Sequence, residues 1–398
     1  MRLKEYKRRL KEALRDGRIA LALQRASESY RRNLQEALER FPHTVELAEE
    51  VRLIKERAIS EIDSLLEEAR RQFEKNHIKT FLARTGEEAC EIIHSLCGHN
   101  RVIVKGKSLT AEEIGLREYL QDRGHEVYET DLGEFLIQIT NQRPMHILSP
   151  AIHMTREEVS RRLSEYLGEE VPPEISEEVK AVREFLRRKF FEAHVGITGA
   201  NVISAQTGTI IQIENEGNVR LASGLPPVHI TLVGIEKIVP SLSDAMKVAE
   251  VTWRFANYAM PAYLSLISSP SKTGDIEKVT TYGAHGPGEV YVVFLDNGRS
   301  RLARDPIFRE ALYCLRCGGC LYECPVFRLV AGRFGSRYFG GIGAIWTAFI
   351  TDGLKEAAPL AYSCLTCGRC KLRCPMKIDT PRMCLHLRHL LAEAGPDS

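Results

Sequence analysis

Eight of the eleven cysteines fall in two runs of identical spacing, CLRCGGCLYECP from Cys314 to Pro325 and CLTCGRCKLRCP from Cys364 to Pro375. Each reads C-x2-C-x2-C-x3-C-P, the run used by bacterial two-cluster ferredoxins. Two-residue gaps let a tight backbone wrap present three thiolates to one cubane. The fourth thiolate, just before proline, reaches the other cluster. One [4Fe–4S] cluster is therefore expected on Cys314, Cys317, Cys320 and Cys374, and a second on Cys364, Cys367, Cys370 and Cys324. Gly318, Gly319 and Gly368 are expected to keep bulk away where backbone amides approach the sulfurs. Cysteine pairs of this spacing also bind zinc, but zinc takes four ligands, and two successive triplets ending in Cys-Pro fit zinc ribbons poorly. Such clusters pass single electrons, so this region is a wire and bond-making chemistry must lie elsewhere. Cys90 and Cys97, in EEACEIIHSLCG, read as small buried thiols.

Three polar segments outside the cysteine runs have residues suited to a ligand. VKGKSLTAEEIGL puts Lys105, Lys107 and Ser108 after an apolar run and before a helical one. That edge of an α/β sheet gathers ligands, and cations there suit an anion. The phosphate-loop spacing is absent. ETDLGEFLIQ carries Glu129, Asp131 and Glu134, and MHILSPAIH adds His146 and His153. Without two histidines at helical spacing, a hydrogen-bonded structural role is the better reading of each histidine, and Asp131, Glu134 and His153 stand as candidates for a ligand surface. The third segment, QTGTIIQIENEGNVRL with the later GIEKI, holds Thr207, Asn215, Glu216, Arg220 and Lys237. ENEGN there reads as a hairpin turn. Arg220 and Lys237 are cations able to take a carboxylate. DNGRS, Asp296 to Ser300, reads as a strand-ending turn. Neither G-x-G-x-x-G after a strand nor a nucleophile elbow occurs.

The elements that must position these residues follow from apolar periodicity. Residues 1–77 read as charged amphipathic helices forming a packing or docking arm. Over 78–303 short apolar runs alternate with helical ones, which predicts an α/β domain with a largely parallel sheet. Thr110–Glu113 reads as a capping box, and the stretch from Ser265 to Pro287 as a loop or β-hairpin region. Residues 304–398 carry the cysteines among helical or irregular signals. Lys plus Arg number 55 against 53 acidic residues, so charge gives no case for nucleic acid. No apolar run is long enough to span a membrane. Clustered cysteines without an export signal point to metal in a reducing cytoplasm, with any approach to the inner face of the membrane made through partners.

The strings VKGKSLTAEEI, ETDLGEFLIQI, HILSPAIH, QTGTIIQIENEGNVRL and HITLVGIEKIVPS, together with both cysteine runs, resemble the iron–sulfur B subunit of the L-lactate utilisation system. The resemblance implies a NagB/RpiA/CoA-transferase-like α/β domain followed by a two-cluster ferredoxin domain. It implies electron transfer in lactate oxidation beside two partners: a cysteine-rich heterodisulfide-reductase-like subunit and a second lactate-utilisation-domain protein. It supplies no catalytic residues, only a candidate surface for a small carboxylate. Gln206 stands where similar sequences commonly carry Glu, which would remove a charge from that surface. Two other readings are an acyl- or CoA-transferase using Glu216 as nucleophile, and a ligand-sensing scaffold with structural clusters.

Overall fold

The computed structural model describes residues 3–15 and 17–394. Four helices, Leu3–Arg15, Gly17–Arg40, His43–Ser60 and Ile62–Lys75, form the N-terminal arm. Their apolar residues recur at three- and four-residue spacing, so each has one stripe to bury.

Twelve strands follow among the described residues. They are β1 (Lys79–Ala83), β2 (Val102–Lys105), β3 (Glu126–Glu129), β4 (Val195–Thr198), β5 (Val202–Ser204), β6 (Thr209–Glu214), β7 (Val228–Gly234), β8 (Ile238–Val239), β9 (Tyr263–Ile267), β10 (Lys272–Thr273), β11 (Thr281–Tyr282) and β12 (Glu289–Leu295). Six of them make a wholly parallel sheet in the order β1-β12-β7-β4-β2-β3. Helices cover both faces, so the central strands VHITLVG and EVYVVFL are nearly continuous apolar runs. At Gly196 in β4 a Cβ atom would lie 1.7 Å from the carbonyl oxygen of Ala222, which lets the helix Asn218–Gly224 rest directly on the strand. A smaller mixed sheet, β8-β5-β6-β9, stands beside it, and β10-β11 is the hairpin within the 265–287 stretch.

Two local expectations are corrected. The helix after β2 begins at Leu109, capped by Ser108, whose Oγ accepts from the Ala111 amide at 3.3 Å; Thr110 lies buried inside the helix rather than capping it. ENEGN is not a hairpin turn. The Glu214 carboxylate accepts from the amides of Val219 (2.8 Å) and Arg220 (2.9 Å), so the chain turns into the helix Asn218–Gly224. Both edges of β6 are already taken by β5 and β9.

The cysteine region is built of short helices, including Gly319–Glu323 and Arg369–Arg373, backed by Gly340–Trp346, Leu354–Ser363 and Thr380–Ala394. One apolar core runs from the arm through the smaller sheet into this region, joining Tyr6, Tyr30, Val51, Ile203, Phe327 and Leu387. In the arm, Tyr30 stacks on Tyr322 at 4.6 Å and donates to the Phe255 carbonyl, while Arg31 grips Glu323 with two bonds. The arm thus ties the cysteine region to the α/β domain.

Candidate functional site

The two cysteine runs share one backbone conformation. Arg316 and Thr366 have φ of 61° and 51°, Gly318 and Gly368 of 78° and 79°. A short helix follows in each, and Cys324 and Cys374 are extended at φ −75° and −70°. The two left-handed steps curl each run so that its first three cysteines face one side, and the positions of Gly318 and Gly368 favour glycine for that reason. Gly319 has a different role from the one expected: a Cβ there would lie 2.3 Å from the Tyr30 hydroxyl, so it admits the arm.

Two adjoining cavities result. One is lined by Cys314, Cys317, Cys320, Cys370 and Cys374. The other is lined by Cys320, Cys324, Cys364, Cys367 and Cys370, so Cys320 and Cys370 stand in the wall between the two. Among the described residues no three Cys, His, Asp or Glu side chains converge tightly enough for a single ion; the thiols ring cavities instead. Burial pushes the thiols of Cys317 and Cys374 up to about 12 and that of Cys370 to about 11. Thiols in so apolar a setting become thiolates when a metal supplies the compensating charge. The Cys384 thiol beside it brings Cys364 down to about 6, while Cys384 Sγ donates to the Gly341 carbonyl at 3.5 Å. The donor set therefore fits two iron–sulfur clusters, four thiols to each.

A second, polar pocket opens where β2, β3 and β4 end. Of the strand-end candidates, Lys107, Ser108, Asp131, Asn215, Glu216 and Lys237 line it. The Lys107 ammonium donates to the Leu148 carbonyl at 3.1 Å and lies 3.5 Å from Glu134 and 4.0 Å from Asp131. Glu134 itself is buried beneath it. Lost hydration, reinforced by Asp131, raises the Glu216 carboxyl to about 7. Burial, with Arg316 and Arg299 nearby and Glu236 opposing, brings Lys237 down to about 8. The pocket is thus acidic at the Asp131–Glu216 end and cationic at the Lys237 end.

The remaining candidates lie elsewhere. Lys105 is buried below the pocket, 2.9 Å from both oxygens of Glu129. Arg220 covers the Tyr263 ring at 4.5 Å. His153 bonds Gln142 at 2.5 Å. Thr207 joins Ser204 and Thr209 in a hydroxyl cluster at the β5–β6 turn, next to Asn76. Gln206 is exposed on that turn, so its difference from Glu removes no charge from the pocket.

Sequence reasoning missed the groups that join the two sites. Leu315 and Arg316, spacers within the first cysteine run, line the polar pocket. Arg316 lies 3.6 Å from the centroid of the Trp346 ring and 3.4 Å from Glu236. Glu236 also receives Arg299 at 2.6 Å, and Arg299 holds Glu113 with bonds of 2.9 and 2.7 Å; Arg299 and Glu113 are fully buried. Burial opposes the charge on Glu236, but Arg299 and Arg316 hold its carboxyl down to about 2. An arginine between two cysteines carries no signal of this in the sequence. Gln212, a polar residue inside the apolar strand TIIQIE, carried one that went unread.

Comparison with known proteins agrees with both halves of this architecture. Residues 66–295 match the family model described as LUD domain, and residues 310–378 match the 4Fe-4S dicluster domain. The chain is 33% identical to the uncharacterized electron transport protein YkgF of Escherichia coli, over 98% of this chain and 81% of that protein. It is 34% identical to the lactate utilization protein B of Bacillus velezensis and to that of Bacillus subtilis, each over 98% of this chain and 80% of the relative.

Proposed function

Since the chain belongs to the LUD-domain family, in the form that carries a 4Fe-4S dicluster domain, we propose that it is the iron–sulfur electron-transfer subunit of an assembly oxidising L-lactate or a related 2-hydroxy acid. The observation that supports this reading is that each cavity is lined by three cysteines of one run together with two of the other, the cysteine before proline among them. Bound clusters supply one-electron transfer there. The protein's own part is to hold eight thiolates, exclude water with the apolar walls around Leu321 and Ile342, and keep the runs in register through Arg31, Glu323 and Arg373. Cys367 is the exposed member of the eight and marks the side from which a redox partner is reached. The partners proposed are a cysteine-rich heterodisulfide-reductase-like subunit and a second LUD-domain protein.

Crossed ligation makes a prediction that parallel ligation does not. Anaerobically purified protein should carry about eight irons per chain, four for each cluster. Cys314→Ala combined with Cys374→Ala removes two ligands of one cluster and should leave about half the iron. Cys364→Ala combined with Cys374→Ala strikes both clusters and should leave neither intact. Half the iron remaining as one intact cluster in the second double variant would overturn the ligand assignment.

A further inference from the structure

The cavity of Cys314, Cys317, Cys320 and Cys374 and the polar pocket at the sheet edge are separated by a shared wall. Leu109, Ile147, Leu315 and Arg316 line both. Among the described residues no equivalent wall joins the second cavity to the pocket, since none of those lining that cavity lines the pocket. The pocket also holds buried polar atoms without a partner among the described residues. Gln212, 2% exposed, donates through Nε2 to Thr198 Oγ1 (2.7 Å) and to the Gly199 carbonyl (3.0 Å), yet its Oε1 accepts nothing. Turning the amide over would set Oε1 against the Gly199 carbonyl, so the acceptor is fixed. The Trp253 indole N–H, also in the pocket wall, is a donor with no acceptor. Buried polar groups left so are costly and mark places for ligand atoms.

We propose that this pocket binds a short hydroxy-carboxylate, with its carboxylate on Lys237 and Arg316 and its hydroxyl donating to Gln212 Oε1, and that occupancy is felt chiefly at the adjacent cluster. Arg316 offers a planar fork suited to a carboxylate. A dianionic phosphate would face Asp131, Glu214 and Glu216 across the same pocket. A keto acid in this pose would bring a second acceptor against Gln212 Oε1, whereas a hydroxyl brings a donor. Because Arg316 stands between Cys314 and Cys317 and lines both the first cysteine cavity and the polar pocket, an anion placed on it changes the field most at the cluster of that cavity. The binding residues rest on the pocket itself; the assignment to one cluster rests on the crossed ligation proposed above.

The test uses the full chain purified anaerobically, with L-lactate, pyruvate and acetate as probes, read by isothermal titration calorimetry. L-lactate should bind more tightly than pyruvate or acetate. Arg316→Gln should weaken L-lactate by about tenfold or more, with Arg316→Lys between it and wild type. Gln212→Leu, close in shape and neutral, should erase the preference for L-lactate over pyruvate. In a potentiometric titration followed by electron paramagnetic resonance, saturating L-lactate should shift one cluster signal, the one missing from the Cys314→Ala, Cys374→Ala double variant. Equal affinity for L-lactate and acetate, or affinity unchanged in Arg316→Gln, would overturn the binding site. A shift confined to the other cluster would overturn the coupling. If iron analysis refutes crossed ligation, calorimetry still decides the binding site by itself.

Discussion

At the scale of single residues the most consequential group is Arg299, a fully buried guanidinium between two carboxylates, Glu113 and Glu236. Without the arginine, Glu113 keeps no cation and Glu236 keeps Arg316 alone, and breaking a buried ionic set in this way costs about 3–5 kcal/mol. Arg299→Leu is therefore expected to lower the unfolding free energy, read from a denaturant titration, by an amount of that order. Arg299→Lys should recover little of it, since one ammonium cannot match a fork that meets both carboxylates. His229 gives a pH dependence. It is fully buried with Nε2 at 2.8 Å from Thr198 Oγ1, and burial pulls it down to about 4. An unfolded histidine titrates near 6.5, so between about 6.5 and 4 the unfolded chain binds the proton and the folded one does not. Stability must fall as pH drops through that window. The wild-type denaturant midpoint should fall between about pH 7 and pH 5 by more than that of His229→Gln; equal slopes would mean the imidazole is not kept neutral by the fold.

At the scale of elements, the pocket depends on how closely a helix can approach a strand. The helix Asn218–Gly224 sits on β4 because Gly196 has no side chain. Gly196→Ala would place a Cβ against backbone, which cannot rotate aside as a side chain can. Its cost should exceed the about 1–3 kcal/mol typical of an overpacked core. A lowered melting temperature together with weakened L-lactate binding is expected, because Asn218 and Val219 belong to the pocket wall. Ser108 works at the same scale in a milder way. It caps the helix after β2 and lines the pocket, and Ser108→Ala should cost about 1 kcal/mol in the same melting experiment.

At the scale of the whole molecule, the arm has a duty beyond packing. Tyr30 stacks on Tyr322, meets Gly319 and bonds Phe255, so it covers the first cysteine run from the outside. Further along, Tyr6 reaches the second run through a 2.9 Å bond to Ser363. Tyr30→Ala should cost about 3–5 kcal/mol as a large-to-small core change. It should also hasten the loss of visible iron–sulfur absorbance on exposure to air relative to wild type, measured as a bleaching rate. An unchanged rate would show that the arm is no shield for that cavity.

The sequence by itself determined whatever is local along the chain. The two cysteine runs specify their own wrap because ligand spacing and left-handed turns are set within twelve residues. Alternating apolar runs specify a parallel sheet, because strands buried on both faces must read as they do in VHITLVG and EVYVVFL. Strand ends were legible too: Lys107, Ser108 and Asp131 follow β2 and β3, and they do meet in one pocket. What only the tertiary structure decided is which distant segments share a wall. ENEGN looked like a hairpin because turn chemistry is local, while the strands paired with β6 are not. Thr207 and Arg220 lie in the same stretch as Glu216 yet face other surroundings. Arg316, Glu236 and Arg299 have no signal in spacing, since their roles come from contacts between residues tens to hundreds of positions apart. That is why the cysteine pattern indicates an electron carrier, and the fold alone shows where a ligand would stand beside it.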